Sequence, residues 1–168
     1  MKIYLKNLNE HNQYRKILQM AGWYEGRLAD ISVYEQEAYA AHIPLTKTMK
    51  NFLYEYAELD SILYLGFESV NNGAALYDYS FKITLNQPYS LSNTKEYREI
   101  CNFAKEKTLC IGEMGYYYPA VCAVGESGKL YLKHDYSDSV EVFDSIIDSI
   151  AFELRKSKDL VCVSDIQE

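Results

Sequence analysis

The sequence has few of the residues that metal sites and disulfide frameworks need. Its 168 residues include four cysteines, three histidines, three prolines and one tryptophan. No two cysteines form a Cys-x-x-Cys pair and the histidines lie far from them, so the spacing excludes the usual zinc motifs. Cys110 and Cys122 fall in apolar, strand-like stretches and are predicted to be small buried residues. We expect neither a metal nor another cofactor.

Long hydrophobic runs are also missing. No stretch approaches the roughly 20 apolar residues of a membrane-spanning helix, and the charged first nine residues lack the features of a signal peptide. No low-complexity segment or Pro/Gly-rich linker interrupts the chain, and its length favours one domain, residues 1–168. We therefore expect a soluble, cytoplasmic, single-domain protein.

Positive charge is scarce relative to negative charge. Lysine and arginine total 17 against 24 acidic residues, which gives a formal net charge of -7. This balance argues against binding to nucleic acid, whose phosphates require basic side chains, and against an anionic membrane surface. It is compatible with a basic protein partner, because opposite charge speeds encounter. Solubility alone would also explain it.

The short motifs of common enzymes are absent. Gly128-Lys129 lacks the other residues of a phosphate-binding loop, and Ser127 lacks the second glycine of a nucleophile elbow. The signatures of zinc hydrolases and deaminases are missing. His134 and Asp135 are neighbours in a predicted strand, so their side chains point to opposite faces. We expect a protein that is not an enzyme; an enzyme would need a cavity in which carboxylates and histidine converge.

Periodicity and capping signals predict helices first, then strands, then a final helix. Gly22 is suited to end the first helix, and Ser32 with Glu35 has the form of a capping box. Residues 126–128 form a predicted hairpin turn, and 159–168 are predicted to be a short edge strand or a loose tail. The predicted helices cover residues 9–20, 32–42, 46–58 and 93–107 and start again near 139; the predicted strands cover residues 61–67, 77–86, 108–114, 117–124 and 129–133. This order predicts a two-layer α+β fold with an antiparallel or mixed sheet of about five to six strands.

Tyrosine is unusually frequent, with 17 residues, and acidic residues cluster near the last predicted helix. We expect most tyrosines to be structural and a minority to be exposed for partner contact. Glu141, Asp144 and Asp148 have the spacing of one helix face. The acidic cluster either stabilises a helix N-terminus or forms a docking strip for a basic partner. The candidate partner-binding residues are Tyr116, Tyr117, Tyr118, Asp135, Tyr136, Asp138, Glu141, Asp144 and Asp148.

One segment resembles a known family. Residues 21–27, Ala-Gly-Trp-Tyr-Glu-Gly-Arg, resemble the Ala-Gly-Trp-x-x-Gly-Arg signature of the third subgroup of the SUKH superfamily. The continuation at residues 30–35, Asp-Ile-Ser-Val-Tyr-Glu, resembles the helix that follows this signature in that subgroup. A helix like 52–59, a late strand, a hairpin ending at Leu130-Tyr131 and a closing helix follow in the same order. The resemblance covers residues 18–154.

The resemblance implies an α+β SUKH fold and a binding role. It implies an immunity protein that neutralises a cognate polymorphic toxin, nuclease-like or deaminase-like, by stoichiometric occlusion. The alternative is a regulatory adaptor or scaffold that binds other cellular proteins. The family has no shared catalytic residues. Gly22, Trp23, Gly26 and Arg27 match its motif, and their chemistry favours structural roles as cap, packing residue, turn and partner for nearby carbonyls or carboxylates.

Overall fold

An antiparallel sheet organises the chain. The computed structural model describes residues 1–68, 75–88, 90–154 and 159–166. The helices are α1 (Glu10–Met20), α2 (Ser32–Ala40), α3 (Lys47–Tyr56), α4 (Lys95–Phe103) and α5 (Ile146–Leu154). The strands are β1 (Lys2–Tyr4), β2 (Leu59–Phe67), β3 (Ala75–Ile83), β4 (Thr108–Tyr116), β5 (Ala120–Gly125), β6 (Leu130–Lys133), β7 (Glu141–Phe143) and β8 (Leu160–Ser164). Within these described ranges the strand order is β1-β8-β2-β3-β4-β5-β6-β7, and every neighbouring pair is antiparallel.

The helix starts follow from side-chain caps. Asn9, Thr46 and Thr94 each accept the backbone N–H three residues ahead, at 2.9, 3.2 and 3.3 Å, which satisfies a donor that the helix leaves open. The predicted capping box at Ser32 does not form. Ile31 occupies the N-cap position of α2, and the Asp30 carboxylate accepts the N–H of Ser32 at 3.0 Å. The predicted α+β class is confirmed, whereas α4 ends four residues earlier than predicted.

Helices cover both faces of the sheet. The larger core, which includes Tyr79, Phe81 and Ile83 of β3, contacts α1, α2, α3 and α5. A smaller core lies on the opposite face, where Ile100 of α4 packs with Cys110. The two-layer prediction was therefore incomplete, because α4 adds a partial third layer. The predicted burial of Cys110 and Cys122 is confirmed: both are buried free thiols.

The sheet has eight strands in the described residues, instead of the predicted five to six. The missed strands are the short β1 and β7, whereas β8 (Leu160–Ser164) falls where a strand or a loose tail was predicted. The predicted edge strand within 159–168 is wrong in position, because β8 lies between β1 and β2; residues 167 and 168 lie outside the described part. Among the described residues, none of the helices combines the length and hydrophobicity needed to cross a membrane.

The prediction of a helix starting near Ser139 is wrong. Residues 141–143 instead form β7 and pair with β6. The helix α5 begins only at Ile146, and the Ser145 hydroxyl accepts the N–H of Asp148 at 3.2 Å. Pairing to the sheet and this later cap outcompete the helical spacing of the apolar residues. As a result, Glu141, Asp144 and Asp148 do not share a helix face.

The family-like segment forms what we call the motif corner, residues Gly22, Trp23, Gly26 and Arg27. Gly22 has a φ of 108° and ends α1, as predicted. The N–H of Trp23 donates to the carbonyl of Leu18 at 3.0 Å, and that of Gly22 donates to Gln19 at 3.1 Å. This hydrogen-bond pattern is a Schellman motif. Gly26 also has a positive φ, 81°, in the turn that follows.

The motif corner joins the end of α1 to the end of α3. The Trp23 indole N–H donates to the Glu55 carboxylate at 3.2 Å, and the Arg27 guanidinium donates to the Glu55 carbonyl at 2.9 Å. The guanidinium of Arg15 lies 5.3 Å from the centre of the Trp23 ring, within cation–π range. The Trp23 and Arg27 side chains are thus engaged within the fold.

Candidate functional site

Five tyrosines form a continuous aromatic network at one end of the sheet, which we call the tyrosine end. Tyr77 lies on β3 and Tyr116 ends β4; Tyr117 and Tyr118 follow in the turn to β5, and Tyr136 lies after β6. Successive ring centres are separated by 4.5 to 6.1 Å. Tyr117, Tyr118 and Tyr136 are 54%, 56% and 67% exposed. The structure therefore brings the four predicted tyrosines together and adds Tyr77.

The turn that carries the exposed rings has an unusual backbone. Tyr117 has a φ of 64°, which is rare for a bulky residue. The N–H of Tyr118 donates to the carbonyl of Tyr116 at 2.7 Å, and the N–H of Tyr117 donates to Asp78 at 2.8 Å. Such a conformation costs on the order of 1–3 kcal/mol and persists where the surrounding fold imposes it. The strand predicted for residues 117–124 begins only at residue 120.

A cavity of about 290 Å³ lies beside the tyrosine end. It is bounded by the ends of β4 and β6, by β7 and by α5. Its lining side chains are aromatic or acidic, with one histidine and one serine among them: Tyr116, His134, Tyr136, Ser137, Glu141, Phe152 and Glu153. Two of the residues predicted to contact a partner, Tyr116 and Tyr136, thus belong to both the tyrosine end and the cavity.

Glu153 is the most unusual group in the cavity. Its side chain is only 7% exposed. One carboxylate oxygen, Oε2, accepts the N–H of Tyr116 at 2.7 Å, whereas Oε1 has no hydrogen-bond partner among the described residues. A Cβ on Gly115 would come within 3.1 Å of this carboxylate, so glycine permits the close approach. Burial raises the pKa of Glu153 from 4.5 to about 7, although the Tyr116 N–H and the nearby Tyr79 hydroxyl offset part of that effect.

His134 faces the same carboxylate. Its side chain is 8% exposed, and its Nε2 atom lies 4.0 Å from Oε2 of Glu153, beyond hydrogen-bond distance. Within the described ranges no group forms a hydrogen bond to Nε2. Burial lowers the pKa of His134, and the charges of Asp135 and Glu141 oppose that effect. The imidazole is therefore neutral near pH 7. Its ring centre lies 4.9 Å from the ring centre of Tyr136.

A buried lysine fixes the loop that carries these rings. Lys133 lies on the opposite face of β6 from His134, and its ammonium group donates to the carbonyls of His134, at 2.7 Å, and Ser137. It also forms an ion pair of 3.1 Å with Glu99 of α4. These contacts hold residues 134–137 in place, so the positions of His134 and Tyr136 depend on the core beneath α4.

The predicted acidic strip is divided by the fold. Glu141 lines the cavity, and the exposed Asp135 lies beside His134 and Tyr136, whose pKa values its charge affects. Asp138 is exposed in the same loop. Asp144 and Asp148 are exposed beyond β7 and in the first turn of α5, outside the cavity lining. The structure therefore brings only part of the predicted cluster to the tyrosine end.

Sequence reasoning missed Glu153 and the role of His134. A signal was present: Glu153 lies between apolar residues near the end of α5, after Ile150-Ala151-Phe152 and before Leu154. The sequence relates His134 only to its neighbour Asp135, whereas the carboxylate that it faces in the structure, that of Glu153, lies 19 positions later. Among the described residues, no cluster of histidine, cysteine or acidic side chains is arranged to hold a metal ion.

Comparisons with protein-family models, with curated proteins and with solved structures found no match for this chain. The geometry of the site is therefore the basis of a functional proposal, together with the short motif at residues 21–27. That geometry combines exposed aromatic rings, a strained turn and a small acidic cavity. Such a combination is suited to binding a positively charged group on another molecule.

Proposed function

We propose that this protein binds and occludes a basic protein toxin, as an immunity protein does, by docking through the tyrosine end. The observation that carries the proposal is the exposed, connected network of Tyr117, Tyr118 and Tyr136. Tyrosine is enriched among the residues that dominate interface energetics, because it buries a large rigid surface at little conformational cost. The strained backbone at Tyr117 supports the same conclusion, since such strain clusters at functional positions.

Charge indicates the chemistry of the partner. The chain carries a formal net charge of -7, and the exposed Asp78 and Asp135 flank the tyrosine end. A complementary basic surface would be attracted and oriented by these charges. Neutralising a toxin requires nanomolar affinity, near -12 kcal/mol, and an interface of about 1,600 Å². The resemblance to the SUKH motif supplies the toxin as the class of partner.

Binding is favoured over catalysis by the hydrogen bonds in the cavity. His134 and Glu153 meet the geometric condition stated above for an enzyme, since a histidine and carboxylates converge. A hydrolase that forms a covalent intermediate would also need a nucleophile oriented by that histidine. The Ser137 hydroxyl is bonded to Ser139 instead, at distances of 3.2 to 3.4 Å.

The proposal is tested with the protein encoded beside this gene as the candidate partner. We expect that changing Tyr117, Tyr118 and Tyr136 together to alanine weakens binding by at least about 100-fold, since each buried anchor contributes 1 kcal/mol or more. Isothermal titration calorimetry measures the affinity. A co-expression rescue assay measures protection against the toxin.

The matched control replaces three tyrosines of similar or greater exposure that lie elsewhere, Tyr4, Tyr24 and Tyr39. This control variant should bind like the wild type. If both triple variants bind the partner with equal affinity, the tyrosine end is not part of the interface. Turnover of a substrate by the purified protein, abolished by Glu153→Gln, would replace the binding role with an enzymatic one.

A further inference from the structure

The cavity beside the tyrosine end has the walls of a cation site. Three aromatic side chains line it, those of Tyr116, Tyr136 and Phe152, together with the carboxylates of Glu141 and Glu153. Aromatic faces and carboxylates both attract cations. Its volume of about 290 Å³ is at or just below the lower end of the range for small-molecule sites. The space therefore suits a single side chain better than a large ligand.

Two buried polar atoms in the cavity need a partner. Glu153 Oε1 and His134 Nε2 are both without a hydrogen bond among the described residues, although their side chains are more than nine-tenths buried. A buried polar group without a partner is destabilising and calls for an explanation. A ligand that donates hydrogen bonds to both atoms would remove the penalty.

We propose that this cavity binds the guanidinium group of an arginine side chain presented by the protein partner, an inference that rests on the proposed function. A guanidinium carries several N–H donors in one plane and stacks on aromatic rings, whereas an ammonium is a compact, strongly hydrated charge. One edge reaches Glu153 Oε1 and a second donor reaches the neutral His134. Glu141 adds negative charge at the same cavity.

Proton release accompanies this binding. In the free protein, burial raises the pKa of Glu153 to about 7, and a bound cation favours the ionised carboxylate. Affinity should therefore rise with pH through this range. The titratable groups that share the surroundings of Glu153 are Tyr79 on β3, Tyr116 on β4, Cys122 on β5, His134 after β6, Tyr136 in the following loop and Glu141 on β7.

Four of these neighbours stay neutral over the relevant range, and one adds to the effect. Burial raises the pKa values of Tyr79, Tyr116, Cys122 and Tyr136, so none of them ionises below pH 8. Protonation of His134 at low pH would repel the cation, which is the same direction as protonation of Glu153. The pH profile is thus a specific signature of the site.

The test titrates the full chain with N-butylguanidinium and follows the Tyr116 amide and the His134 imidazole by NMR. We expect saturable shifts of both signals, with affinity at least about tenfold higher at pH 7.5 than at pH 5.5, since one coupled proton changes affinity up to tenfold per pH unit. N-butylammonium should bind more weakly. Glu153→Gln should remove most of the pH dependence and most of the binding, and protonation of His134 accounts for the remaining pH dependence.

A matched control and a second variant keep the test decisive. Glu35→Gln removes an exposed acid of α2 outside the cavity and should leave probe binding unchanged. Glu141→Gln, in the wall of the cavity, should weaken it and gives a second measurement if the Glu153 variant folds poorly. The absence of saturable shifts at pH 7.5, or equal affinity in both cavity variants and the wild type, would overturn the cation site.

The outcome for the cavity is separable from that for the tyrosine end. A partner that binds the wild type and the Glu153→Gln variant equally would retain the docking function and overturn the arginine site. Probe binding with the expected pH profile, in a protein whose tyrosine triple variant still protects against the toxin, would retain the cation site and overturn docking through the tyrosines.

Discussion

The motif corner and the tyrosine end differ in the hydrogen bonds and the backbone conformations that they provide for their residues. At the motif corner, the indole of Trp23 and the guanidinium of Arg27 both bond to Glu55, and Gly22 takes the positive φ that the end of a helix requires. At the tyrosine end, Tyr117 takes a positive φ without being glycine, and Glu153 retains a buried oxygen without a hydrogen bond among the described residues. The first region is consistent with local rules and the second departs from them.

This difference distinguishes residues that stabilise the fold, at the motif corner, from residues that are candidates for binding, at the tyrosine end. Sequences usually agree with local structural rules, and departures concentrate where a protein binds or reacts. Residues 21–27, which resemble the family motif, use their tryptophan and arginine to hold the end of α1 against the end of α3. The candidate site lies elsewhere, where exposed rings surround a small acidic cavity. A motif of this kind therefore indicates how the chain folds more directly than where it binds.

The largest expected effect is at Glu153, and it depends on pH. The folded-state pKa, about 7, lies above the ordinary value of 4.5. Between these values the unfolded chain releases the proton while the folded protein holds it, so the wild type loses stability as pH rises. The difference between the two pKa values corresponds to about 3 kcal/mol in the free energy of unfolding. Glu153→Gln lacks this loss, so its free energy of unfolding relative to wild type should increase by about 3 kcal/mol from pH 4.5 to pH 8.

Urea denaturation of both proteins at the two pH values measures this difference. Comparing the variant with the wild type cancels the titrating groups that lie away from the cavity, whereas His134, whose lowered pKa acts in the opposite direction, still contributes. Glu35→Gln, at an exposed position, should show a constant difference from wild type. If the Glu153 variant also shows a constant difference, the carboxyl is not held protonated in the folded state.

A smaller effect is expected at the motif corner. Trp23→Ala removes a half-buried ring, its hydrogen bond to Glu55 and its contact with Arg15, and should destabilise the fold by about 2 kcal/mol. Tyr136→Ala, at the more exposed aromatic ring of the other region, should change stability by less than about 0.5 kcal/mol. Thermal or chemical denaturation at pH 7 measures both. Equal losses would contradict the contrast between the two regions.

The sequence predicted features that depend on neighbouring residues. Gly22 ends α1, and residues 126–128 turn between β5 and β6. In each case a side chain or a glycine acts on backbone within a few positions, so the pattern carries the information. The α+β class followed from the order of these local signals.

Features that depend on distant pairing were not predictable in the same way. β7 forms because β6 is available beside it, although the apolar spacing from Val140 onward also suits a helix. β8 lies between two strands that are far away in sequence. Likewise, His134 and Glu153 meet only because α5 packs over the end of the sheet. No local pattern encodes that encounter, and an acid between the apolar residues Phe152 and Leu154 at the end of α5 was the available indication.

At the strained turn, the expected effect is smaller than that of Trp23→Ala. Tyr117→Gly should stabilise the fold by about 0.5–1 kcal/mol, because glycine adopts a φ of 64° without a steric penalty and this gain exceeds its higher entropy in the unfolded chain. Tyr118→Gly is the matched control. It has similar exposure but no positive φ, so it should lower stability by a similar amount. Urea denaturation ranks the two variants, and a partner-binding assay should show both binding more weakly than wild type. If Tyr117→Gly destabilises as much as its neighbour, the turn holds no strain, and the difference between the two regions then reduces to the buried carboxyl alone.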